Sequence, residues 1–217
     1  VLNTEDEILI CIERGNIPKK KNQLLYDTLD NLNTGLMLDE TLKEQPIVLA
    51  ARNLAEDKKY LLQLIVATVI RCGDKFVVLE TISGRMKGTV TMVQGHVSYD
   101  RNFYDMKLID ILQREISREL YEEISINNQT LFSLSEPKLK FFALNNTDDS
   151  SVDFYHLGCI FEINIDKKYK DLVTEDNFTT KEPEKHNVKV INIHDNLKKK
   201  GINCCSWLKA VIDYYRK

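Results

Sequence analysis

Residues 95–126 read GHVSYDRNFYDMKLIDILQREISRELYEEISI, and the second half of this stretch decides the fold. From residue 105 to residue 125 the spacing of apolar side chains is helical. At about 100° per residue, Glu115, Glu119, Glu122 and Glu123 fall within an arc of roughly 100°. Ile109, Ile116, Leu120 and Ile124 occupy the adjacent arc. The pattern predicts a helix that buries one stripe and carries a row of carboxylates along its edge. Like charges on neighbouring turns repel by about 0.2–0.5 kcal/mol per exposed pair. At a cleft edge the cost rises unless protons or a divalent cation relieve it. Carboxylate oxygens suit Mg²⁺, Mn²⁺ or Ca²⁺ rather than zinc. The same spacing also suits a solvated acidic helix laced by Arg114 and Arg118.

Outward from this helix the chain reads as strands. Before it come a strand over residues 5–14 (EDEILICIER), a long apolar strand over 60–71 and a second over 75–81. Cys72-Gly73-Asp74 makes the turn of a hairpin. A further strand over 88–93 (GTVTMV) leads to Gly95. After the helix, residues 138–144, 153–164 and 187–193 are strand candidates, and a helix over about 203–216 closes the chain. Residues 16–45 are polar, with Leu24, Leu25, Leu29 and Leu32 at helical spacings, and Lys19–Lys21 read as a solvated loop. The expected class is α+β, with a mostly antiparallel sheet and a few helices.

Composition bounds the function. The 217 residues include 30 basic and 33 acidic side chains, a formal net charge of −3, and the pI is about 5.9. A net negative chain is a poor binder of nucleic acid or anionic membrane surfaces without a dedicated site. The longest apolar run, LLQLIVATVI over residues 61–70, is too short to span a bilayer. No signal-peptide pattern opens the sequence. The five cysteines, Cys11, Cys72, Cys159, Cys204 and Cys205, include no CxxC pair. We expect reduced thiols, buried as filler, and a cytoplasmic protein.

Residue order then narrows the choice. Arg118-Glu119-Leu120-Tyr121-Glu122-Glu123-Ile124-Ser125-Ile126 resembles the core of the Nudix box. That pattern runs Gly, five residues, Glu, seven residues, then Arg-Glu-apolar-any-Glu-Glu-any-Gly-apolar. Arg118, Glu119, Leu120, Glu122, Glu123 and Ile126 match it, and Gly95 matches the opening glycine. Three departures stand out. Ser125 replaces the closing glycine. The gap from Gly95 to Arg118 holds 22 residues, nine more than the pattern. The middle Glu has no clear counterpart, Asp110 keeping its spacing and Asp100 its neighbourhood. Pieces elsewhere are similar to a bacterial subgroup of predicted phosphoesterases in this MutT-like family. They are EILICIER, AARNLAEDKKYLLQLIVATVI, Gly95-His96-Val97 with Asp100, His156-Leu157-Gly158, and SWLKAVIDYY near the end.

The resemblance implies a Nudix-type α/β/α sandwich with a mixed sheet, a domain over residues 59–217 and an N-terminal extension over 1–58. It implies hydrolysis of a diphosphate bond in a nucleoside-diphosphate-linked or related small molecule, with Mg²⁺ (or Mn²⁺) activating water. By carry-over, Glu119, Glu122 and Glu123 are metal ligands, the Gly95 carbonyl adds one, and Arg118 orients a carboxylate. Glu119, Glu122 and Arg118 form the catalytic set, with His96 set to touch substrate. The base that deprotonates the water is open between Glu119 and an acidic residue on a later loop, among Asp148, Asp149, Asp153 and Glu162. The inserted residues 98–106 are a candidate lid. The implied partner is a small nucleotide or diphosphate, with no stable nucleic acid and no membrane. Dimers are common in the family. The alternative is a Nudix-fold nucleotide sensor without turnover. His186 and His194 show no ligand spacing, and His156, Phe141, Phe142 and Trp207 read as packing residues.

Overall fold

The computed structural model describes residues 7–14, 25–27, 47–103, 106–127, 136–144 and 152–217. In chain order its elements are β1 (Ile8–Glu13), β2 (Leu25–Asp27), β3 (Val48–Ala51), α1 (Arg52–Asp57), β4 (Leu61–Cys72) and β5 (Lys75–Thr81). Next come β6 (Thr89–Thr91), β7 (Val93–His96), α2 (Leu108–Glu123), β8 (Ile124–Ile126), β9 (Lys138–Leu144) and β10 (His156–Asn164). The last are β11 (Phe178–Thr180), β12 (His186–Asn192), β13 (Asn203–Cys204) and α3 (Ser206–Tyr215). All strands except β8 and β11 join one mixed sheet, in which β6 and β13 run parallel. The architecture is α+β, as expected from the strand-rich pattern. Lys19–Lys21, Leu24, Leu29, Leu32, Asp148 and Asp149 lie outside the described residues.

Two compact units divide the chain. The first comprises Val1–Val66, Gly95–Glu115 and Leu139–Ile160. Within it, β1 lies antiparallel to β3 (Ile8 opposite Ala51) and to the start of β4 (Cys11 opposite Gln63). α1 drops Ala55 onto Leu9, Cys11 and Leu61, a small buried cluster. Arg52 fixes this helix by donating from Nη1 to Glu7 at 2.8 Å. Leu25, which sequence spacing groups with helical leucines, instead sits in β2, antiparallel to β9 with Leu25 opposite Ala143. Backbone pairing with a strand outweighs a weak local helical preference there.

The second unit comprises Ala67–Gln94, Ile116–Lys138 and Phe161–Lys217. β4 and β5 form the predicted hairpin, its turn centred on Gly73, whose φ of 56° a side chain would oppose. β12 pairs with β5 along its whole length, from His186 opposite Thr81 to Asn192 opposite Lys75. Ile70, Val77, Leu79, Val93, Ile124 and Phe178 form the core of this unit. Full burial of each such side chain contributes about 1.5–3 kcal/mol. In α3, Trp207, Leu208, Val211 and Ile212 are buried at helical spacing, as predicted.

The C-terminal end of α2 passes straight into β8, which pairs antiparallel with β11, Ser125 opposite Thr179. The helix therefore exits into extended backbone, where serine has no need of the left-handed conformation that a glycine supplies. The buried face of α2 also differs from expectation. Ile111, Leu112, Glu115, Ile116 and Glu119 are buried, whereas Ile109 is 38% exposed. The face is turned toward the carboxylates, so Glu115 and Glu119 stand inside it rather than at its edge.

No helix among the described residues is long and apolar enough to cross a membrane.

Candidate functional site

The second unit gathers acidic groups at the end of α2. Glu119 and Glu123 are one turn apart, so their side chains share a face. Glu119 is 7% exposed. Arg118 donates to Glu119 at 2.5 Å and to Glu122 at 2.6 Å. Glu122 itself is exposed. Arg118 thus ties together two carboxylates of the predicted set, a charge-assisted arrangement that fixes their orientation.

Glu123 is a strongly perturbed carboxyl group. Burial pushes its pKa up to about 8, and the neighbouring charges of Glu119 and Glu182 push the same way. A 3.4 Å bond from the Gln94 backbone N–H and the charge of Lys185 oppose the rise. Glu182 arrives by strand pairing. The β8–β11 ladder is extended by the Lys181 N–H donating to the Glu123 carbonyl at 3.1 Å, which places Glu182 next along. Glu182-Pro183-Glu184-Lys185-His186 then makes one turn, closed by the His186 N–H donating to the Glu182 carbonyl at 3.0 Å. A turn of that length sets residues four apart on one side. One donor atom each from Glu123, Glu182 and His186 lies within 4.8 Å of the others.

Two buried polar atoms stand beside this group. Oε1 of Gln94 and Nδ1 of His186 are shielded from solvent and have no hydrogen-bond partner among the described residues. Burial lowers the pKa of His186, so its ring is neutral at neutral pH. Both residues and Glu123 line a cavity of about 320 Å³, closed also by Arg85, Met86 and Met92. A larger cavity of about 620 Å³ lies beside α3. Its two carboxylates are each paired with a cation, Asp195 with Lys200 at 2.7 Å and Asp213 with Arg216 at 3.6 Å. It offers no crowding of like charge to attract a cation.

Gly95 and His96 end β7 in the first unit. His96 meets His156 edge to face at 5.3 Å. Burial lowers their pKa values to about 3 and about 4, and the charge of Arg52 adds to the effect on both. Asp100 accepts from the Asn102 N–H at 2.9 Å and faces Arg114 at 3.5 Å. In the inserted stretch, Ser98 donates to Glu7 and Phe103 is buried. Glu162 accepts from Arg71 at 3.0 Å and from the Tyr215 hydroxyl. The side chain of Asp153 is outside the described residues. Phe141, Phe142 and Trp207 are buried, as packing residues should be. None of the five cysteines is in a disulfide, and burial raises Cys11 to about 11 and Cys159 to about 12, far from reactive thiolates.

Sequence reasoning missed Glu182 and His186. Their i, i+4 spacing was the available signal, but only the turn and the β8–β11 register bring them to Glu123.

No protein-family model and no curated protein sequence matches the chain. Solved structures do. Tm1382, a candidate Nudix hydrolase, aligns over 96% of this chain and 97% of its own, at 18% identity and a TM-score of 0.66. The fold is that of a Nudix hydrolase. A MutT Nudix hydrolase from Burkholderia pseudomallei covers 70% of this chain and 95% of its own, at 11% identity and a TM-score of 0.46. A bifunctional NMN adenylyltransferase/ADP-ribose pyrophosphatase from Francisella tularensis, complexed with AMP and manganese, covers 70% of this chain. It matches over 40% of its own length, at 15% identity and a TM-score of 0.43.

Proposed function

We propose that the chain is a divalent-cation-dependent hydrolase of a diphosphate bond in a nucleoside-diphosphate-linked small molecule. The observation that carries the reading is Glu123, a half-buried carboxyl crowded by Glu119 and Glu182, with its pKa pushed up to about 8 by burial and by those two charges. Such a cluster is unfavourable alone and matches a hard cation with oxygen donors. The spacing fits as well. Donors on opposite sides of a cation bound at about 2.1 Å stand about 4.2 Å apart, and donor atoms of Glu123, Glu182 and His186 lie within 4.8 Å of one another.

The roles of the side chains follow. Glu119 and Glu123, on one helix face, hold the cation, with Glu122 completing the set of box carboxylates. Arg118 keeps Glu119 and Glu122 oriented through its two short bonds. A divalent cation held by these side chains would supply charge neutralisation for the diphosphate and polarisation of the attacking water. Deprotonated, a cluster carboxylate accepts the proton of that water, and Arg85 at the cavity rim offers a cation to the phosphates. The apolar flanks from Met86 and Met92 exclude water around the attached group. Gly95 and His96 carry no part of this reading, which rests on the second unit alone.

A sensor that binds nucleotide without turnover is the second reading. The hold of Arg118 on two box carboxylates favours it. Incubation with nucleoside diphosphate derivatives and Mg²⁺ or Mn²⁺, followed by product analysis, separates the two. The hydrolase releases phosphate-containing products, and Glu122→Gln and Glu123→Gln each lower turnover by orders of magnitude. Full activity in both variants removes the cation centre; binding without products supports the sensor.

A further inference from the structure

The group at the end of α2 is not made of oxygen donors alone. His186 opens β12, where its backbone is fixed twice, by pairing with Thr81 and by donating to the Glu182 carbonyl. Its ring is half-buried, and Nδ1 is shielded from water with no partner among the described residues. A polar atom in that state costs free energy unless something fills the gap. One of its ring nitrogens shares a 4.8 Å neighbourhood with carboxylate oxygens of Glu123 and Glu182. Glu182 also pairs with Lys185 at 2.7 Å, so its carboxylate is already positioned.

We propose that Glu123, Glu182 and His186 form a mixed carboxylate–imidazole site that selects a divalent transition ion such as Mn²⁺ over Mg²⁺. The proposal rests on the cation reading of Glu123 above and goes beyond the box carboxylates to two residues on the β11–β12 connection. Mg²⁺ holds its waters tightly and favours oxygen, whereas imidazole nitrogen is a better donor to first-row transition ions. A nitrogen on one side of the site therefore discriminates between the two cations, where an all-carboxylate site would accept both. The neutral ring is ready to donate a lone pair without losing a proton first.

The test uses the full chain and Mn²⁺ or Mg²⁺ chloride alone. Electron spin-echo envelope modulation of bound Mn²⁺ reports directly bound nitrogen, and calorimetry gives both affinities. The wild-type protein shows nitrogen modulation and binds Mn²⁺ at least about tenfold tighter than Mg²⁺. His186→Gln keeps the backbone pairing and an oxygen donor, loses the modulation, and brings the two affinities together. Glu182→Gln keeps the modulation and weakens Mn²⁺ by about tenfold. Unchanged thermal melting of the metal-free variants shows that they fold. The proposal is overturned by Mn²⁺ bound without nitrogen modulation, by an unchanged affinity ratio in His186→Gln, or by absence of Mn²⁺ binding. Diphosphate turnover without the nitrogen signal sinks this proposal and leaves the hydrolase standing. A nitrogen-ligated Mn²⁺ without turnover does the reverse.

Discussion

In the first unit His96 and His156 face each other at 5.3 Å; in the second, Glu123 is crowded by Glu119 and Glu182. Burial drives both groups toward their neutral forms. For the imidazoles the neutral form is the resting form at pH 7. For Glu123 neutrality means keeping a proton up to about pH 8. The carboxyl cluster therefore gains from a cation, while the histidine pair carries no buried charge for a cation to offset.

The largest expected effect is on turnover. Glu123→Gln removes the ionisable carboxyl while keeping the shape, and should lower kcat by at least about a hundredfold. Product release from the nucleotide panel measures it, and wild-type rates would place the chemistry elsewhere.

Stability separates the two regions next. As pH rises from about 4.5 to about 8, the unfolded Glu123 ionises while the folded one keeps its proton, so folding is disfavoured. Near pH 8.5 this amounts to roughly 3–5 kcal/mol in the metal-free protein. Glu123→Gln should raise the metal-free melting temperature at pH 8.5 by several degrees and leave it unchanged at pH 4. Mn²⁺ should raise the wild-type melting temperature at pH 8.5 and not that of the variant. A pH-independent difference between the two proteins would contradict the assignment.

The histidine pair acts on the opposite limb. Below pH 6.5 the unfolded imidazoles take up protons that the folded ones refuse, down to about 3 for His96 and about 4 for His156. Stability is lost as pH falls, on the order of 2–3 kcal/mol for each ring by pH 4. His156→Phe should shift the acid unfolding midpoint to lower pH while leaving neutral-pH melting nearly unchanged. An identical acid limb would show that the rings are hydrated rather than buried.

The smallest expected effect sharpens the reading of α2. Ile109→Ser should change stability by less than about 0.5 kcal/mol, because the side chain is exposed, whereas Leu112→Ala should cost about 2–5 kcal/mol. Chemical denaturation of both variants decides which face is buried.

Much of this architecture is legible in the residues. β5 and β9 fall on the predicted bounds because their apolar runs are closed by turn residues, Gly73-Asp74 before β5 above all. α2 is visible in its periodicity, but its buried face is not. Glu115 and Glu119 are counted as solvent-facing by any rule that sorts residues by polarity, and the true face includes them. β8 and β11 have three residues each, too few to show alternation. Their pairing is nevertheless what carries Glu182 to Glu123. The box carboxylates could be named from order and spacing. His186 could not, since its approach depends on a turn closed by backbone hydrogen bonds and on the register of β12 against β5.

The central claim is that the half-buried carboxyl of Glu123 is part of a cation site. Anomalous diffraction from crystals soaked in Mn²⁺ tests it most directly. The account predicts a manganese peak about 2.1–2.2 Å from a Glu123 oxygen. Full-occupancy manganese elsewhere, with Glu123 surrounded only by protein and water, would contradict it.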